Sequence, residues 1–123
     1  MHRPLAISAF VLASTLLSGC APDAWKPDRA FDARLAELGE ACEGKTIGYE
    51  RVENLARGRT KAAIFFVDQT SRLYEGRITP DGWTTGVTAF MNGWRDDPGV
   101  RCVLDQYARD RLSAPPSSSP PTR

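Results

Sequence analysis

Paired acids are the first residues of this chain that could do chemistry. Glu37/Glu40, Glu50/Glu53 and Asp96/Asp97 each place two carboxyl groups close in sequence. A glycosidase needs such a pair about 5–9.5 Å apart across a cleft. A spacing of three on a charged helix face is more often simply solvated, and no serine-nucleophile context, glycine-rich phosphate loop or metal-ligand cluster accompanies these acids. The only histidine, His2, lies second from the start, inside a segment read below as a leader. Without it the chain has no Ser/His or Cys/His pair and no imidazole for a zinc site. The expectation is a protein that is not an enzyme and that uses no cofactor and no metal.

The three cysteines have separate roles. Cys20 closes the run Leu17-Ser18-Gly19-Cys20, at the end of an uncharged apolar stretch from Leu5 to Leu17 that follows Arg3. A cation, a short apolar core and small residues, in that order, are the layout of a secretory signal. The stretch is shorter than the roughly 20 apolar residues that span a bilayer. Those four residues resemble the lipobox of bacterial lipoproteins: Leu, a small residue, Gly or Ala, then Cys. The resemblance covers residues 1–20 alone. It implies cleavage before Cys20, a diacylglyceryl thioether on its sulfur and acylation of the new amino group. In enteric bacteria an Asp after the lipidated cysteine retains a lipoprotein in the inner membrane. Ala21 stands there instead, so the resemblance implies the outer membrane, facing the periplasm.

Removing residues 1–19 takes away Arg3 and no acid, so a formal charge of +1 becomes zero. A neutral, exported chain has no electrostatic reason to seek nucleic acid. It also lacks the basic cluster that anionic headgroups attract, so the membrane is held through acyl chains, of which two or more anchor stably. In an oxidising envelope the remaining pair, Cys42 and Cys102, reads as a disulfide. The expected layout is a signal peptide over 1–19, a lipidated tether over 20–27, one small domain over 28–112 and a disordered Pro/Ser tail over 113–123. The seven residues Ala21 to Pro27 reach at most about 25 Å, which keeps the domain near the membrane. A domain this small is marginal without help, and a disulfide closing most of it contributes roughly 4 kcal/mol in the chain-entropy model.

The elements that must position these residues read mainly as helices. After Pro27, the residues Phe31, Leu35, Leu38 and Cys42 recur at helical spacing, with Gly44 as a stop. A weaker helix is expected over Ile47–Arg57, capped by Thr46 and closed by Gly58, although Gly48 counts against it. Residues 61–78 can be read in two ways. Ala62 to Val67 could be a buried strand, with Pro80-Asp81-Gly82 and Asn92-Gly93 as hairpin turns, which gives an antiparallel β-meander flanked by N- and C-terminal helices. Against this, Ile64, Val67, Ser71, Tyr74 and Ile78 step by three and four, and Asp68 and Arg72 make an i,i+4 ion pair. The turn favours helices: Gly76 as a left-handed stop, Thr79 as cap, Pro80 at the first position and an Ile78–Trp83 staple. A last helix is expected after Pro98-Gly99, carrying Val100, Leu104, Tyr107 and Arg111 along one side, with Cys102 in a loose first turn. The fold expected is an all-α bundle of four to five helices stapled by one disulfide, with the α+β meander as the alternative.

Aromatic and small residues are the remaining candidates for recognition. Trp83 and Trp94, eleven apart, fall near one helical face with Val87, Phe90 and Met91. They read as core first and as a platform for a glycan or partner second. Trp25, in the tether, could rest at headgroup level or pack onto the domain. Gly82, Gly86, Ala89 and Gly93 form a small-residue stripe, which a neighbouring helix explains and a docked protein could also explain. Trp25, Gly82, Gly86 and Gly93 are therefore the candidate partner-binding residues. The leading expectation is a lipid-anchored envelope protein acting as a binding or assembly module for another envelope protein. The alternative is an inhibitor or immunity protein against an envelope-acting toxin or cell-wall hydrolase, and a cell-wall glycosidase comes third.

Overall fold

Aspartate, threonine and glycine at the ends of apolar-periodic segments divide the described residues into five helices and one small hairpin. The computed structural model describes residues 28–113. Cys20, Ala21, Trp25, the leader and residues 114–123 of the expected Pro/Ser tail lie outside the described residues, while Ser113, expected to open that tail, closes α5. In order, the elements are α1 (Arg29–Ala41), β1 (Thr46–Ile47), β2 (Glu50–Arg51), α2 (Val52–Arg57), α3 (Lys61–Tyr74), α4 (Pro80–Met91) and α5 (Pro98–Ser113). The protein is a small all-α bundle, and the meander is overturned: residues 61–91 form two helices. None of the described helices is long and apolar enough to cross a membrane.

Helix α1 starts where Asp28 accepts hydrogen bonds from the backbone N–H groups of Ala30 and Phe31, each at 3.1 Å, satisfying donors that a helix start leaves orphaned. It buries Leu35 and Leu38, and Cys42 follows on the same stripe. Gly39 lets α2 come close: a Cβ there would stand 3.3 Å from that of Ala56. Helix α5 returns antiparallel to α1, and Cys42 and Cys102 are joined, with their Cα atoms 5.8 Å apart. The expected staple between the end of the first helix and the start of the last is therefore present.

The turn between α3 and α4 follows its residue types. Gly76 is left-handed (φ 72°), while Arg77 N–H donates to Arg72 C=O and Gly76 N–H to Leu73 C=O. That is the Schellman arrangement, in which two orphan carbonyls are satisfied. Thr79 caps α4 by accepting from Gly82 N–H at 3.0 Å, with Pro80 at the first helical position. The two helices pack antiparallel. Phe65 stacks on Phe90 at 4.2 Å between ring centres. Trp83, fully buried, meets Phe66 edge-on and donates its indole N–H to Thr70 at 3.2 Å.

Four expectations are corrected. The second helix begins at Val52 rather than Ile47, because Gly48 takes a positive φ of 59° and turns β1 into β2, pairing Thr46 with Arg51 and Ile47 with Glu50. On α3 the buried stripe is Ala63, Phe66, Thr70 and Leu73, so Ile64 is left exposed. The run Ala62–Val67 is apolar all round, and two stripes with the same spacing compete for the core. The larger pair Phe66 and Leu73 carries the one that wins. Trp94 is not core: α4 ends at Met91 as Asn92 turns left-handed, which breaks the phase with Trp83. Helix α5 begins at Pro98 and buries Gly99, Val100 and Val103, while Arg111 is exposed.

Candidate functional site

Two places in the fold gather polar and aromatic side chains, at opposite ends of the α1–α5 pair. At the first, Tyr74 of α3 donates its hydroxyl to Asp110 of α5 at 2.7 Å, and Arg34 of α1 pairs with the same carboxylate at 3.3 Å. The edges and faces of Phe31, Tyr74 and Tyr107 pack at centroid distances of 6.2 and 5.2 Å. Burial, reinforced by the bond to Asp110, raises the Tyr74 hydroxyl well above the usual tyrosine range. A phenol held protonated in this way is no general base near neutral pH. The group ties three helices together.

At the second place, the carboxylate of Asp97 holds two backbone segments. Its Oδ2 accepts from Gly48 N–H at 2.7 Å and from Trp94 N–H at 3.0 Å. One oxygen shared by two donors brings the hairpin and the α4–α5 connection side by side. The next residue along the hairpin is Tyr49, 93% exposed, and Trp94 itself is 77% exposed. Both rings thus stand in solvent on backbone segments that Asp97 joins.

Close packing makes the support rigid. A Cβ on Gly48 would fall 2.1 Å from Met91 O, one on Gly93 would fall 2.9 Å from Gly48 N, and one on Gly99 would fall 2.6 Å from Thr46 O. Each glycine admits backbone where a side chain would stand. Neighbouring charges form exposed surface pairs. Arg95 reaches Asp81 at 3.4 Å and Thr85 at 3.3 Å, and Asp96 pairs with Arg101 at 3.1 Å.

The residues singled out from sequence lie as follows. Cys20 and Trp25 lie outside the described residues. Gly82 is exposed in the first turn of α4, and Gly86 faces α3, where a Cβ would be 3.3 Å from Gln69. Gly93 lies past the helix end, under the hairpin, so the three glycines do not share one face. Glu37 and Glu40 are exposed on α1, whereas Glu53 accepts from Gly44 N–H at 3.0 Å and lies 3.9 Å from Arg51. Glu50 and Glu53 border a surface hollow of about 410 Å³ with Asn54 and Arg57. No group of three or more His, Cys, Asp or Glu among the described residues could hold a metal ion.

Sequence reasoning missed Tyr49 and the role of Asp97. Two signals were present: Gly48 beside Tyr49 inside a poor helix pattern, and an acid directly before a helix-starting proline. The acid's side chain crosses to a segment 49 residues away, which no local pattern encodes. No protein-family model, curated protein or solved structure matches this chain.

Proposed function

We propose that this chain is an envelope lipoprotein, anchored through lipid on Cys20 in the outer membrane and facing the periplasm, which acts as a non-enzymatic binding or assembly module. The anchor rests on the lipobox-like Leu17-Ser18-Gly19-Cys20, and its sorting on Ala21. The binding role rests on one observation above all: Asp97 fixes two segments so that Tyr49 and Trp94 stand in solvent on a rigid support. Rigid aromatic anchors lose little freedom when a partner covers them, and this makes them favourable centres of recognition.

Membrane fractionation and metabolic palmitate labelling of the full chain test the anchor. The wild type is expected to label and to cofractionate with outer-membrane markers, and Cys20→Ser to lose both while remaining folded. An unlabelled wild type overturns the lipoprotein reading. Photo-crosslinking in intact cells tests the binding role. A crosslinker at position 94 is expected to capture an envelope component that one at Glu37 does not, and equal yields at both positions would count against it.

A further inference from the structure

We infer that the Cys42–Cys102 disulfide exchanges with small anionic thiols through one sulfur only, that of Cys102, reached from a hollow where the end of α1 meets α5. The inference goes beyond the reading of the chain as a binding module and depends on neither the anchor nor the exposed rings. The two halves of the bond have unequal surroundings. Cys42 is 0% exposed and belongs to the hydrophobic core with Leu38, Ile47 and Val103. Cys102 is only partly buried and borders a surface hollow of about 330 Å³. Its sulfur lies 3.6 Å from the carbonyl oxygen of Ala41, a residue that borders the same hollow. A thiolate must contact the sulfur it attacks, so access decides which half of a disulfide exchanges.

Charge narrows the class of thiol. On α5, Arg101, Asp105 and Arg109 follow one another at steps of four beside Cys102, so they share its side of the helix. Lys45, in the turn after α1, closes the other rim. Three cations and one acid around the hollow raise the local concentration of anions, an effect that salt screens. Exchange then runs in two steps. The incoming thiolate bonds to Cys102 Sγ, the protein S–S bond breaks, and Cys42 Sγ leaves with the electron pair and is protonated. A second thiolate attacks the small-molecule sulfur of the mixed disulfide and releases Cys102, which is protonated in turn. Two thiols are oxidised to one disulfide, and the protein bond is reduced to two thiols. In the reverse direction the mixed disulfide forms on Cys102 and the Cys42 thiolate closes the bond.

The test treats the folded full chain, in detergent, with millimolar glutathione, an anionic thiol. Samples are quenched in acid at intervals, free thiols are blocked with N-ethylmaleimide, and peptides are mapped by mass, which keeps Cys20 apart from the pair. Early adducts are expected to carry glutathione on Cys102 more than tenfold over Cys42, with N-ethylmaleimide on Cys42 of the same molecules. In concentrated urea, where the fold hides neither sulfur, that preference should collapse. Glutathione chiefly on Cys42, the same distribution with and without urea, or no exchange by the folded protein overturns the inference. Charge is read by replacing glutathione with cysteamine, a cationic thiol, each rate being taken relative to that in urea. Glutathione should be favoured several-fold at low ionic strength, and less so in molar salt or after Lys45→Gln and Arg101→Gln, with circular dichroism checking the fold of the variant. Equal relative rates for the two thiols overturn the anionic class.

Discussion

Asp97 is the residue on which the aromatic end of the molecule depends. A carboxylate that accepts two backbone N–H groups makes charge-assisted bonds, stronger than neutral ones. Its loss leaves the half-buried N–H of Gly48 without that partner. Asp97→Ala is therefore expected to destabilise the fold by about 2 kcal/mol, read as a lower urea midpoint at unchanged m-value. Amide exchange should locate the effect, with faster exchange at Gly48 and Trp94 and little change at Leu38. Uniform acceleration across the chain would show that the clamp is not local. Asp97 was visible in the sequence only as half of an acidic pair; its partner on the hairpin is set by tertiary packing.

Among the elements, those whose signals are local were legible and those chosen by competition were not. The α3–α4 turn is written in four neighbouring residue types, Gly76, Thr79, Pro80 and Trp83, and it forms as they dictate. The buried face of α3 differs from the expected one because Ala63 and Ile64 begin stripes of equal spacing, and only the facing helices select between them. The hairpin was hidden because its strands are two residues each, too short for an alternation to be seen. The Tyr74–Asp110 bond, which links α3 to α5, gives an element-scale prediction. The folded-state pKa of Tyr74 is raised above the ordinary value of 10.0. Its contribution is then fully present below about pH 10 and is lost progressively as the pH rises beyond that. Tyr74→Phe should cost about 1 kcal/mol at pH 8 and should flatten the further loss of stability between pH 9.5 and 11, followed by thermal melts. An unchanged slope would show that another group governs alkaline unfolding.

For the whole molecule, the disulfide closes a span of 60 residues and encloses the hairpin, α2, α3 and α4. Cys42→Ser is expected to cost 2–5 kcal/mol, the range for removing a native disulfide from a small domain, and to lower the amount of folded protein recovered. Non-reducing mass mapping checks the linkage, and two alkylatable thiols in the wild-type protein would refute it.

The two exposed rings belong to residues 45 positions apart, Tyr49 on an early hairpin and Trp94 on a late connection, and Asp97 joins the backbones that carry them. A chain whose synthesis has not passed residue 97 shows Tyr49 without the bond from Asp97 that holds Trp94's segment beside it. Non-local pairings of this kind form late, once loop closure has been achieved. The proposed binding surface therefore exists only once the hairpin and the α4–α5 connection have folded against each other.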